Sequence, residues 1–193
     1  FKWERIKWRV LQNNGSTLFV VANLGLDSKN YNEEEKAITW ESCTLRDWLN
    51  SSFYGMAFNS EEKKAIVSQN IKNENNSSGT DGGNNTTDKV YLLSGKEVEN
   101  SAYGFCESNI ESASRQLKVT DYAHTRGVWI SSYSGYTGNC VWWLRSPGIS
   151  AYHADTVEHT GIHGIDGDSS SYLSGPDAVV PALHINLSSD LWS

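Results

Sequence analysis

Two apolar brackets constrain this chain more than any other feature. The first is WWLRSPG, Trp142 to Gly148, and the second is VVPALHINL, Val179 to Leu187. Bulky aromatic and β-branched runs of this kind read as buried strands. The stretch between them has a different composition. From Gly148 to Ala178 there is no Lys, Arg, Gln, Met or Trp, and the one Glu is Glu158. The preceding chain uses those residues freely. A rigid frame that encloses a run of small and polar residues reads as a displayed surface held on a fixed scaffold.

The rest of the chain supplies that scaffold. With 193 residues it is long enough for one domain with a real core, and its eight Trp and nine Tyr favour aromatic packing over disorder. Ile6, Trp8 and Val10 alternate with Lys7 and Arg9 as in a half-buried strand. Asn13-Asn14-Gly15-Ser16 is a turn signal, and Leu18 to Ala22 is a denser strand. Trp40 to Ala57 reads as helix, with Thr44 as cap and Asp47 in the first turn. Ser60 is expected to cap a second helix through Ala65, Ile66 and Gln69, with Glu61 and Glu62 at its positive end. Asn70 to Asp88, rich in Asn, Ser, Thr and Gly, reads as loop. Lys89 to Ser94 reads as a strand, Gly95 to Tyr103 as a short helix or turn, and Asp121 to Gly127 as a helical turn. Val128 to Gly138 carries Trp129, Tyr133 and Tyr136 among Ser and Gly and reads as an irregular hairpin. Val141 to Leu144 and Val179 to Leu187 read as strands. No repeat or linker divides the chain.

The net charge of -7, with no Lys or Arg after Arg145, argues against a phosphate-backbone partner. No apolar run approaches the roughly 20 residues that span a bilayer. Phe1 opens directly into structured-looking sequence, without a leader-like segment. Cys43, Cys106 and Cys140 form an odd set with no CxxC spacing and are expected as buried thiols.

In order and spacing, several pieces resemble a bacterial family of C-type-lectin-like domains, many known only as domains of unknown function. They are IKWRVL (Ile6 to Leu11), TWESCTLRDWLN (Thr39 to Asn50), GTDGGNNTTDKVYLLS (Gly79 to Ser94) and the two brackets. The family pattern has Arg before the second Pro, where this chain has Val180. The resemblance implies an α+β, C-type-lectin-like fold of the formylglycine-generating-enzyme branch, with two helices on small antiparallel sheets and much irregular chain. It further implies kinship with the variable proteins of diversity-generating retroelements. In those systems template adenines are randomised near the C-terminus, and the randomised codons cannot encode Lys, Gln, Glu, Met or Trp. The composition of Ile149 to Ala178 fits that restriction except at Glu158. A Gly/Ser-rich loop that simply lacks long side chains is the alternative.

As a binding face the segment has suitable chemistry. Tyr152 and Tyr172 are rigid amphipathic anchors. Ser169, Ser170, Ser171 and Ser174 offer short hydrogen-bonding groups. His153, His159, His163, Asp155, Asp166, Asp168 and Asp177 supply directional contacts, and Gly161, Gly164 and Gly167 keep the surface near the backbone. Ala154, Val157 and Ala178 are expected to point inward. Trp142 and Trp143 are expected in the scaffold, and Arg145 is expected to bind backbone carbonyls or a carboxylate.

Rival chemistries are weaker. His153, Asp155, His159 and His163 are zinc-binding types without a known ligand spacing. Asp81, Asn84, Asn85 and Asp88 are oxygen donors that suit calcium, but Asx turns use the same residues without a metal. No nucleophile elbow, phosphate loop or dinucleotide fingerprint is present. His124 and His184 stand alone, His184 as a packing residue in the closing strand. The expectation is a non-catalytic, cofactor-free binding protein. Its partner would be a protein or surface ligand, and its setting a cell surface, a secreted protein or a larger particle. A fixed-specificity lectin or structural module is the alternative.

Overall fold

The computed structural model describes residues 5–163, 170–172 and 175–188. Strands β1 (Trp8–Asn13) and β2 (Thr17–Ala22) form the opening hairpin. Its turn is built by Asn14, whose side-chain oxygen accepts from the backbone N–H groups of Ser16 and Thr17 at 3.0 and 2.7 Å. Gly15 takes the left-handed conformation there, at φ 86°. The simple alternation expected of the first strand is corrected at Val10, which is exposed while Leu11 is buried. The register shifts between Val10 and Gln12, so Leu11 is an inserted bulge residue that reverses the facing of the strand.

Strand β3 (Asp27–Lys29) precedes the helical region. Trp40 to Ala57 is helical in pieces. A 3-10 turn (Trp40–Ser42) leads to α1 (Thr44–Trp48), then a π-helical turn (Leu49–Phe53), then α2 (Tyr54–Ala57). The cap is Cys43, whose sulfur accepts from Arg46 N–H at 3.4 Å, and not Thr44, whose hydroxyl accepts from the Glu33 N–H at 3.0 Å. Helix α3 (Ser60–Ala65) begins one residue earlier than expected. Asn59 caps it in a reciprocal box with Glu62, because Asn presents its acceptor to the first free N–H groups. The helix also ends sooner, as Ile66 turns into strand β4 (Ile66–Val67).

The polar run expected as loop is pinned at both ends by a small antiparallel ribbon, β5 (Gln69–Ile71) with β6 (Thr86–Asp88). Strand β7 (Val90–Tyr91) is shorter than the KVYLLS motif, although Leu92 and Leu93 continue into the core. Helix α4 (Gly95–Val98), a 3-10 turn (Ser101–Tyr103) and helix α5 (Asp121–Thr125) follow. The last strands are β8 (Trp142–Pro147), β9 (His153–Val157), β10 (Ser170–Tyr172), β11 (Asp177–Val179) and β12 (Ala182–Asn186).

Two five-stranded sheets organise these elements. The first has the order β1-β2-β12-β4, with β7 also pairing with β12. Strands β4 and β7 meet β12 at His184/Ile185 and Ala182/Leu183 respectively. The second has the order β10-β9-β8-β11-β3. Its strands are antiparallel except for β11 beside β8. The closing apolar bracket was expected as one strand, and it is two. Its halves belong to different sheets and meet at Val180-Pro181, because proline has no N–H to continue a ladder. The result is an α+β architecture with mostly strands and short helices.

The shared core runs through both sheets. Trp40, Trp142 and Trp143 are among its largest fully buried side chains. Tyr31 packs against Trp40 and Trp143 with ring centroids 6.1 and 5.5 Å away, and its hydroxyl donates to the Arg145 carbonyl at 3.1 Å. Burial pushes the Tyr31 phenol well above its ordinary range. Both indole N–H groups of the first bracket find carbonyls, Trp142 on Arg115 at 3.2 Å and Trp143 on Lys29 at 2.8 Å. They are scaffold, as their chemistry implies. His184 stacks flat on Phe19 at 4.6 Å, and burial lowers its basicity.

Candidate ligand-binding segment

The chain from Ile149 to Ala178 leaves and rejoins one frame. Trp142 pairs across β8 with Val157 on one side and with Ala178 on the other, and the Ala178 N–H donates to the Val141 carbonyl at 3.1 Å. The frame is stiffened by Arg145, whose guanidinium donates to the Leu92 carbonyl at 2.8 Å and to Glu97 at 2.5 Å. Val180, in place of the family's Arg, is fully buried among apolar neighbours.

The segment itself divides into outward turns and an inward strand. Residues 148–153 form a tight turn in which the Gly148 N–H reaches the His153 carbonyl at 2.9 Å. Ile149 and Tyr152 stand out from it, 47% and 49% exposed. The turn is tied down by Asn76, which donates to the Gly148 carbonyl at 2.7 Å, and by the Ile38 N–H on the Ala151 carbonyl at 3.1 Å. His153 is half-buried, with Nδ1 2.8 Å from the Ser150 hydroxyl.

Residues 154–157 are buried throughout. Strand β9 lies between β8 and β10, and its run of consecutive buried residues means that neither face meets water. Ala154 and Val157 are inward as expected, and so is Ala178. The placement of Asp155 and His163 on the displayed face is corrected, because both are buried. Asp155 Oδ2 lies 2.6 Å from His163 Nε2, and Glu99 Oε1 lies 2.9 Å from His163 Nδ1. Burial alone would lower the His163 pKa. The hydrogen bonds and charges of Asp155 and Glu99 outweigh that and raise it, because both ring nitrogens must carry protons to serve two carboxylates. Buried charges persist only when paired in this way.

The far end of the segment is a second turn. The Gly161 N–H donates to the Glu158 carbonyl at 2.8 Å. Gly161 is left-handed at φ 84°, and a Cβ there would lie 2.1 Å from the Ser112 carbonyl oxygen. Arg115, fully buried, donates through Nε to the Gly161 carbonyl at 2.7 Å. Its remaining nitrogens reach the carbonyls of Val98, Cys106, Ser108 and Ile110. His159 lies among Trp129, Tyr133 and Tyr136, with ring centroids 5.3, 5.7 and 5.8 Å away. Its backbone carbonyl accepts from the Asn139 side chain at 3.0 Å.

The remaining expected positions are scattered. Asp177 is half-buried in β11, in register with Lys29. Ser170 and Tyr172 are placed by their backbone in β10, opposite Asp155 and His153. Asp166 and Asp168 lie outside the described residues, as do Gly164, Gly167, Ser169 and Ser174. The zinc-type residues are therefore not gathered: His163 and Asp155 serve each other, His153 faces Ser150, and His159 sits among aromatics. The oxygen donors of the Asp81–Asp88 loop are likewise engaged within the chain. Asp81 accepts from the Gly83 N–H at 3.0 Å, Asn85 from the Asn73 N–H at 3.1 Å, and Asn84 contacts Glu41. Asp88 accepts from Trp40, Arg46 and Thr86 at 3.0, 2.7 and 2.7 Å. Among the described residues, no group of three or more His, Cys, Asp or Glu side chains is arranged to hold a metal ion. Nor is any described helix long and apolar enough to cross a membrane.

Fold and segment together define an α+β domain whose long excursion starts and ends on one buried tryptophan-rich frame. The chain matches the family described as Domain of unknown function (DUF6273) over residues 14–187, and it belongs to that family. Comparison with curated proteins and with solved structures gives no match.

Proposed function

We propose that this domain is a non-catalytic binding module that presents the outward turns of Ile149 to Ala178 to a protein or surface ligand. The observation that carries this reading is that Trp142 of the first bracket pairs with both Val157 and Ala178 of the excursion, which lets the excursion change its outer side chains without moving its roots. We further infer a C-type-lectin-like fold, supported by short helices on small sheets and by the closing strand β12 lying against β2 of the opening hairpin. Kinship with retroelement-diversified proteins rests on the composition of the segment, and the burial pattern narrows it. Diversification would be confined to residues 149–153, 158–160, 162 and 175–177 among the positions whose burial is described. Residues 154–157, Gly161 and His163 would be constant, because each is buried.

That burial also favours a second reading, a fixed-specificity lectin or surface module, since Asp155, Gly161 and His163 each require one residue type. DNA beside the gene separates the two. A near-copy of the segment that differs only at adenines, placed in the codons of the outward positions and next to a reverse transcriptase, is the expected result for diversification. Template adenines falling equally on codons 154–157 would overturn the partition, and absence of any template leaves the fixed-specificity reading. At the protein level, Ile149→Ser with Tyr152→Ser should leave the thermal midpoint within a few degrees, since exposed substitutions cost under about 0.5 kcal/mol. Loss of the fold would show the 148–153 turn to be structural.

A further inference from the structure

The loop from Val128 to Asn139, outside the segment just described, is built like a binding surface of its own. Trp129 and Tyr133 are 49% and 62% exposed, unusual for such large rings. The loop that carries them is tightly fixed. The Ser131 N–H reaches the Asn139 carbonyl at 2.7 Å, Gly138 returns to Ser131 at 2.8 Å, and Tyr136 reaches Tyr133 at 3.0 Å. Both rings pack against His159. Aromatic faces already immobilised lose little entropy on binding a ligand.

We propose that Trp129 and Tyr133 form a stacking platform for the pyranose rings of a neutral glycan. A sugar ring offers axial C–H bonds to the negative face of an indole or phenol and a rim of hydroxyls to surrounding acceptors. The acceptors are present. Glu111 carboxylate is anchored by the Tyr136 hydroxyl at 2.5 Å, and the half-buried Glu158 carboxylate lies 3.6 Å from His159. Two carboxylates suit hydroxyl donors and repel sulfated or uronic sugars. Other exposed residues of the loop are Ser132, Ser134, Gly135 and Thr137, all small or polar. They keep the loop wet, unlike the dry centre of a protein interface. Trp129, Tyr133 and Glu111 lie outside the 149–178 segment while Glu158 and His159 lie within it, so the specificity of the platform is set jointly with that segment.

The test is affinity electrophoresis of the whole chain through gels containing hydroxyethylcellulose, galactomannan, xyloglucan, arabinoxylan or laminarin, with heparin and polygalacturonate as anionic arms. Retardation by at least one neutral polysaccharide is expected. It should weaken about tenfold in Trp129→Ala and in Tyr133→Ala, the size of an interface anchor, and persist in Trp129→Phe. Tyr133→Ala, at the more exposed site, keeps the test valid if Trp129→Ala unfolds. The proposal is overturned by the absence of retardation in all five neutral gels, by retardation in the anionic gels alone, or by both alanine variants being retarded as strongly as the parent. If Ile149→Ser/Tyr152→Ser loses binding while the platform variants keep it, the platform fails and the segment reading stands.

Discussion

His163 Nε2 lies 2.6 Å from Asp155 Oδ2 inside the protein, and this contact closes the excursion between residues 155 and 163. Asp155 belongs to β9, while His163 follows the turn and bridges back to Val157. Glu99, just after α4, closes the other side of the ring. One imidazole thus locks three separate pieces of chain. The residues that looked most like ligand contacts in the sequence are the ones that hold the display in place.

The triad makes stability depend on pH with a definite sign. The folded His163 holds its proton above the ordinary histidine range, whereas the unfolded residue loses it near about 6.5. Above that pH the folded state binds more protons than the unfolded one. The triad's contribution is therefore fully present below about pH 6.5 and is lost as pH rises through the folded value. Urea unfolding between pH 6 and 9 should show stability falling by up to about 1.4 kcal/mol per pH unit. His163→Gln should be less stable at pH 6 and should flatten that slope. An unchanged slope in the variant would mean that His163 is neutral when buried.

Glycine is required at two points around the same structure, for different reasons. At Gly95 a Cβ would lie 2.7 Å from His163 Cε1 and 3.1 Å from Asp155 Oδ2. Gly95→Ala should cost about 1–3 kcal/mol by overpacking and should reduce the pH dependence together with the stability. Gly161→Ala adds a left-handed backbone penalty to a clash with the Ser112 carbonyl. It should cost about 2–5 kcal/mol. Denaturant midpoints of the two variants, measured at pH 6 and pH 9, check both.

The frame was legible in the sequence because apolar periodicity and turn chemistry are local. Trp142, Trp143, the Asn14-Gly15 turn and the inward Ala154, Val157 and Ala178 follow from spacing and side-chain type. Three features were not legible. The bulge at Leu11 turns on one inserted residue, which no alternating pattern announces. The division of the closing bracket at Val180-Pro181 depends on which sheet each half joins. The Asp155–His163–Glu99 triad joins a residue near α4 to one 64 positions later, and Glu99 carries no local mark of it. His163 and Asp155 read as surface chemistry because charged and polar types are usually exposed, and only tertiary pairing reverses that.

The thiols should differ sharply in reactivity. Cys43 and Cys140 are fully buried, and burial pushes each up to about 12. Cys106 is half-buried. Thiolate is the reactive form, so iodoacetamide at pH 8 should label native protein first at Cys106, with Cys43 and Cys140 modified only after unfolding. Peptide mass spectrometry after a timed pulse distinguishes the three sites. Early labelling of Cys43 would contradict its role as the cap of α1.

Arg115 gives the clearest structural test, because its charge is buried without a carboxylate among the hydrogen-bond partners seen. Among the described residues its guanidinium donates to backbone carbonyls, those of Val98, Cys106, Ser108, Ile110 and Gly161. A planar fork of five donors can satisfy several carbonyls that converge from different loops, whereas an ammonium has three donors about one point. Arg115→Lys should therefore fail to rescue. Arg115→Met preserves length and apolar packing but leaves those carbonyls unpaired, at a cost of about 1–3 kcal/mol for each that water cannot reach. Both variants should unfold at least about 3 kcal/mol more easily than the parent. Amide exchange should rise first around residues 106–115 and 158–161, the pieces that Arg115 joins. A Lys variant as stable as the parent would show that charge, and not the geometry of the fork, is what those loops require.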